Sequence, residues 1–172
     1  MRRAILLLTA IAALSANAQD LAKRHALIDS LYKAEKYAQV VKEIDLQLKE
    51  AAGTTWADSS HLYLYKYGRA HRKLKDAEAG VKAAERIYAL VKQRGIAANE
   101  LEALFDLSWT YYDVGRMKEC ARVDSIAVTV ADRDPKVSYK QKGRARQYLA
   151  FDFSVIGDHR RSAKYALEAI VQ

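Results

Sequence analysis

The sequence predicts an all-α chain built from four antiparallel helix pairs stacked in series. Two observations carry that reading. The first is punctuation. Half of the 172 residues are hydrophobic, yet only one proline and seven glycines interrupt them. Strand-rich folds need more turn chemistry than that, and the common residues here (Ala, Leu, Lys, Glu, Arg) suit helices. The second is a recurring scheme. Leu64, Tyr67-Gly68, His71, Lys75, Ala77 and Gly80 realign, 40 residues on, with Leu104, Leu107-Ser108, Tyr111, Gly115, Met117 and Cys120. Leu149-Ala150, Phe153, Gly157, His159 and Ser162 hold the same places at an offset of 42. Leu27-Ile28, Leu31, Glu35, Tyr37 and Val40 form a weaker copy ahead of them. A fixed period in a helical sequence marks stacked supersecondary units, and the chain is long enough for one domain with its own core.

The first element is not part of the array. In "MRRAILLLTAIAALSANAQD" two arginines precede an apolar run, Ala4 to Leu14, and Ala16-Asn17-Ala18 gives the small-x-small pattern of a signal peptidase site. Cleavage is expected after Ala18, leaving Gln19 first, so residues 1–18 read as a signal peptide and 19–172 as the repeat domain. The apolar run is short for a membrane span. No cysteine follows it to carry a lipid, and no second apolar run follows. The mature chain is therefore expected to be periplasmic or extracellular, with no stable membrane span.

The helix pairs follow at roughly 21–57, 58–98, 99–133 and 134–172. In each, the bulky–small pair lies mid-way along the first helix and a turn residue ends it. Glu35 and Lys75 occupy the turn in the first two copies, Gly115 and Gly157 in the last two. Gly53 and Gly95 are expected to close the second helices of copies one and two. In copy three, Asn99 is placed to cap the first helix with Glu102 as its capping-box partner; Leu101, Leu104, Phe105 and Ser108 follow at helical spacing. The second helix, from about Arg116, buries Met117, Cys120, Val123 and Ala127. In copy four, Asp134 suits an N-cap and Pro135 the first helical position, and Asp158 is placed to cap the final helix. Small residues at Gly68, Ser108 and Ala150 let the paired second helix approach at Gly80, Cys120 and Ser162.

This scheme resembles the tetratricopeptide repeat (TPR) family, over about Leu21 to Gln172. The bulky–small pairs, the aromatics Tyr111 and Phe153, the turn glycines and the small residues of the second helices carry the likeness. The departures are a period of 40–42 residues and the polar Glu35 and Lys75 where glycine is usual. The resemblance implies a right-handed superhelix whose first helices line a concave, peptide-holding groove. Carried over, that groove takes His25, Asp29 and Tyr32; Leu62, Tyr65, Arg69, Arg72 and Lys73; Glu102, Phe105, Trp109, Tyr112 and Asp113; and Arg144, Gln147, Phe151 and Ser154. The partner-binding candidates among them are Tyr65, Arg69, Arg72, Phe105, Trp109, Tyr112, Arg144 and Phe151, aromatics and arginines being the usual anchors of interfaces. The competing reading is that Phe105, Trp109 and Phe151 only pack neighbouring repeats. The lysine-rich set with which chaperone-binding members hold a terminal carboxylate is not assembled here.

Charge and chemistry narrow the function classes. The formal charge is +8, and from Arg133 to Lys164 nine lysines and arginines face only Asp134, Asp152 and Asp158. Such a face attracts an acidic partner, an anionic glycan or a membrane surface, unless it is simply solvated. Interleaved aromatics there suit nucleic acid too, which export argues against. No metalloprotease HExxH, phosphate-binding loop or dinucleotide fingerprint occurs. His25, His61, His71 and His159 lack metal-ligand spacing, so no metal or cofactor is expected. The single cysteine, Cys120, has no internal partner and reads as a buried packing residue; a thiol hydrolase is the enzymatic alternative. The leading expectation is an exported, non-enzymatic scaffold for a protein or peptide partner, an acidic one being the kind the basic stretch suits. The other is an extracytoplasmic sensory or regulatory module of a larger bacterial protein, such as a kinase, DNA-binding regulator or caspase-like peptidase. The apolar final helix, "RRSAKYALEAIVQ", lacks the polar cap a repeat array needs, which points to a further domain or subunit over it.

Overall fold

The computed structural model describes residues 22–50 and 61–171. Eight helices occupy them, with no strand among the described residues: α1 (22–33), α2 (Tyr37–Glu50), α3 (His61–Lys73), α4 (Ala77–Arg94), α5 (Ala97–Asp113), α6 (Met117–Arg133), α7 (Tyr139–Ile156) and α8 (His159–Ile170). They form four pairs. From α2 onward each helix packs on its sequence neighbour, and α3 also packs against α5. This is the right-handed α–α superhelix expected. The expected signal peptide, residues 1–18, and Gly53 lie outside the described residues.

The four intra-pair turns share one construction. Glu35, Lys75, Gly115 and Gly157 all have left-handed φ, at 57°, 62°, 77° and 88°. In each, the amide after that residue reaches back to close a Schellman turn. Lys36 donates to the Leu31 carbonyl, Asp76 to His71, Arg116 to Tyr111 and Asp158 to Phe153, at 2.8–3.0 Å. The repeat register thus places the turns correctly even where glycine is absent. Gly95 ends α4 with φ 68°.

Two helix starts differ from expectation. Helix α5 begins at Ala97 behind Ile96, so Asn99 falls inside the first turn and its capping box does not form. Helix α7 begins at Tyr139, capped by Ser138 in a capping box with Gln141. Asp134 instead ends α6, and its carboxylate accepts from the Lys136 amide at 2.8 Å, turning the chain at Pro135. The loop needs those residues to cross to the next repeat, so the later Ser-x-x-Gln wins over the earlier Asp-Pro. Asp158 caps α8 as expected, accepting from Arg161 N at 2.9 Å.

The core runs the length of the stack. Leu64, Ile87, Leu101, Leu104 and Leu149 are fully buried, each stabilising by about 1.5–3 kcal/mol. Tyr111 is core, and its hydroxyl reaches Glu85 of α4; Tyr67 likewise donates to Asp45 of α2. Close approach within pairs is as the small residues foretold. A Cβ on Gly80 would lie 3.0 Å from the Gly68 carbonyl oxygen, and the Cys120 thiol donates to the Ser108 carbonyl at 3.3 Å. The side of Gly68 itself faces elsewhere: a Cβ there would meet Thr110 Oγ1 of α5 at 3.0 Å. Its smallness serves the joint between repeats.

Candidate functional site

Helices α3, α5 and α7 present one shared face. Three-residue spacing puts Trp109 and Tyr112 side by side on α5, with ring centroids 5.4 Å apart. Phe151 stands one repeat beyond Trp109 and reaches Tyr112 at 5.8 Å. Tyr148 wedges between α5 and α7, edge-on to Phe105 at 5.2 Å and to Trp109 at 5.9 Å. Tyr65, Trp109, Tyr112 and Phe151 remain 36–46% exposed. These four expected site residues therefore lie on one accessible face. Phe105 does not: it is fully buried. The Arg144 guanidinium covers its ring at 4.3 Å, so Phe105 is a foundation of the face and cannot touch a partner.

The charges of this face are mostly matched across repeats. Arg144 donates to Glu102 Oε2 at 3.2 Å and to the Tyr148 hydroxyl at 3.1 Å. Arg72 pairs with Asp113 at 2.7 Å and Lys66 with Asp29 at 2.5 Å. Arg69 differs: it lies over the Tyr65 ring at 5.1 Å and donates to its hydroxyl, while its buried Nε has no acceptor. Further along the face, His25 stacks on Tyr63 at 4.6 Å and Tyr32 meets Tyr37 edge-on. Lys73, Gln147 and Ser154 are exposed, and the Leu62 side chain lies outside the described residues.

Asp106 belongs to this face although no motif in the sequence marks it. It sits one turn from Glu102 and three residues before Trp109, on the same side of α5, and that spacing was its only signal. With Tyr65, Trp109 and Arg144 it lines a cavity of about 310 Å³. Burial, then the neighbouring Glu102 carboxylate, pushes its carboxyl up to about 7, against the opposing pull of Arg144, the Tyr65 backbone and Lys66. Its side chain makes no ion pair among the described residues. Nothing in the sequence marks Tyr148 either, because its contacts, Phe105 and Trp109, come from the repeat before it.

That basic stretch is partly neutralised. Arg146 is buried between Asp132 at 2.8 Å and Glu168 at 3.6 Å. Arg161 pairs with Asp158 at 2.6 Å and Arg133 with Glu100 at 3.5 Å. Asp158 belongs to the stretch itself, but Asp132, Glu168 and Glu100 lie outside it, which a count along the chain does not see.

Behind the face lies a buried polar cluster. Ser108 Oγ donates to Asp124 Oδ2 at 2.8 Å, and the Asp124 carboxyl hydrogen-bonds to Asp152 on α7. Burial pushes the Cys120 thiol up to about 12, helped by Asp152 and Asp124. A thiol held neutral and out of solvent is a packing group, as expected of Cys120. Among the described residues no group of three or more His, Cys, Asp or Glu is placed to hold a metal ion, and no helix is long and apolar enough to cross a membrane.

No protein-family model matches the chain, and no curated protein matches it in sequence. Solved structures do match. The TPR domain of Arabidopsis FLU superposes with a TM-score of 0.55 at 16% identity, covering 67% of this chain and 95% of that one. TPR-like repeats of the kinesin light chain type from Podosopora anserina give 0.36 at 11% identity, covering 88% and 94%. MamA of MSR-1 gives 0.34 at 14%, covering 87% and 94%. The fold rests on the first of these together with the four-fold turn geometry: the chain is a TPR-like helical repeat protein in architecture.

Proposed function

We propose that this protein is an exported, non-enzymatic scaffold that holds a polypeptide segment against the shared face of α3, α5 and α7. The observation that carries the reading is the row Tyr65, Trp109, Tyr112 and Phe151, four aromatics left open on successive first helices. Apolar rings grouped on a surface mark interaction sites, and large rigid aromatics are the usual hot spots. Arg69, which lies over the Tyr65 ring and makes no ion pair among the described residues, supports an acidic residue in the segment. Arg72 and Arg144, already paired, hold the repeats in register.

The test is a random-peptide display selection on the mature chain. Trp109→Ala should weaken the selected peptides by about 2 kcal/mol or more with helicity unchanged. Failure to enrich any sequence, or enrichment indifferent to Trp109, would overturn the reading. Export is checked separately: protein from its native host should begin at Gln19, and an intact Met1 would remove the secretion argument.

A second reading, as a sensory or regulatory module of a larger bacterial assembly, draws support from α8. None of its residues is buried, and Leu167 and Ile170 are 66% and 82% exposed. Slower hydrogen exchange of α8 in the native assembly than in the isolated chain would favour it.

A further inference from the structure

We propose that the cavity between Tyr65, Trp109 and Asp106 receives a basic side chain, lysine or arginine, of the bound segment. The inference rests on the groove reading above and adds a polarity to it: an acidic residue toward Arg69, a basic one at Asp106.

Three observations converge on a cation. The first is the walls. Aromatic faces attract ammonium and guanidinium groups, and this surface already uses its rings in that way. Arg69 lies 5.1 Å above Tyr65, and Arg144 lies 4.3 Å above Phe105. Trp109, the strongest ring for this purpose, has no cation of its own among the contacts described, and it is 39% exposed.

The second is the floor. Asp106 is a largely desolvated carboxyl with no ion pair among the described residues. Its charged neighbours are held mostly by other groups. On α5, Glu102 is taken by Arg144 of α7 at 3.2 Å. On α3, Lys66 is taken by Asp29 at 2.5 Å, and Arg69 lies over the Tyr65 ring and donates to its hydroxyl. On α7, Tyr148 accepts from Arg144 at 3.1 Å. Of the cavity's lining residues Asp106 is the carboxyl and Arg144 the cation, and Arg144 is already engaged by Glu102. Holding a carboxylate out of water without a counter-charge is unfavourable, and an arriving cation removes that cost.

The third is size. About 310 Å³ suits one long side chain with its head group, and is too small for a helix. The stem of a lysine or arginine would lie along the rings while its head meets the carboxyl.

A consequence distinguishes this from simple apolar packing. Asp106 titrates near neutrality, at about 7, and only its charged form attracts the ligand. Binding must therefore expel a proton at neutral pH and tighten as pH rises through that value.

The experiment takes peptides selected on the full mature chain. Each is remade with its basic residue replaced by norleucine, and all are measured against wild type and Asp106→Asn at pH 6 and pH 8, with circular dichroism confirming that the variant is folded. The expected result has three parts. The selected sequences share a lysine or arginine. Norleucine weakens binding about tenfold to wild type but little to Asp106→Asn. Only the basic peptide on wild type binds more tightly at pH 8. If the peptides need Trp109 but carry no basic residue, or if the norleucine and Asp106→Asn effects simply add, the groove stands and this inference falls. If no peptide needs Trp109, both readings fall together.

Discussion

The two halves of the superhelix solve the same packing problem with opposite chemistry. At the joint after the first repeat, three equivalent buried positions are Ile28, Ile44 and Ala70. One repeat on they are Gly68, Ala84 and Thr110. One further on they are Ser108, Asp124 and Asp152, all still buried. The repeat geometry fixes which positions lose water; it leaves open whether they are filled by hydrocarbon or by a hydrogen-bonded network. The apolar joint depends on volume and is indifferent to pH. The polar joint depends on every member finding a partner, and on a proton.

The largest effects should come from volume at those joints. Gly68→Leu would drive a side chain into Thr110, whose Oγ1 already lies 3.0 Å from where a Cβ would sit. Overpacking of this kind costs about 2–3 kcal/mol. Ser108→Leu should cost more, since it also removes the donor to Asp124 and strands a buried acceptor, adding about 1–3 kcal/mol. Urea unfolding of the two variants checks the order. Equal losses would mean that the Ser108–Asp124 hydrogen bond contributes nothing, and the contrast between the joints would be one of composition only.

A smaller effect separates the halves by pH. Burial, helped by the Asp152 carboxyl beside it, pushes Asp124 up to about 9; burial alone pushes Asp152 up to about 6, against the hydrogen bond from Asp124, which holds it down. Asp124 keeps the proton and donates it to Asp152. Both groups bind protons more tightly folded than unfolded. Their stabilising contribution is therefore complete below about pH 4, the ordinary carboxyl range, and is lost as pH rises through about 6 and then about 9. Asp106 acts in the same direction up to about 7. Asp124→Asn removes the titrating proton while keeping a donor for Asp152. It should leave stability near pH 4 almost unchanged and raise it by about 1–2 kcal/mol near pH 8.5. A wild-type melting temperature that is flat between pH 4 and 9 would show that the joint carries no such linkage.

How much of this was visible in the sequence follows from the same distinction. The periodic features were readable because they depend on the repeat alone. Four turns sit at Glu35, Lys75, Gly115 and Gly157, Tyr111 and Cys120 are core, and Gly80 meets the backbone of Gly68. Features that depend on how one repeat leans on the next were not. Phe105 and Trp109 share a face of α5, one turn apart. Only the arrival of Arg144 and Tyr148 buries the first and leaves the second open. Arg72 looked available until Asp113 was placed opposite it. The helix starts failed for a related reason: several side chains near each boundary have capping chemistry, and the path of the loop decides between Asp134 and Ser138.

The smallest predicted effect tests the halves at their turns. The first two repeats put Glu35 and Lys75 into the left-handed region at φ 57° and 62°, where the last two use glycine. A side chain in that conformation costs about 1–2 kcal/mol through the contact of its Cβ with the following carbonyl. Glycine avoids the contact but gives the unfolded chain more freedom, returning about 0.4–1 kcal/mol of the gain. Lys75→Gly should therefore stabilise by about 0.5–1 kcal/mol, and Gly115→Lys should destabilise by a similar amount, since nothing lies within 4 Å of a Cβ built there and only backbone strain is at stake. Thermal unfolding of the two reciprocal variants, and of the double exchange, measures both signs in one background. The sites are in neighbouring repeats and share no partner, so their effects should nearly cancel in the double variant. A Lys75→Gly variant that melts below wild type would mean that the lysine turn carries a stabilising contact which glycine cannot replace, and the two halves would then differ in their turns as deeply as in their joints.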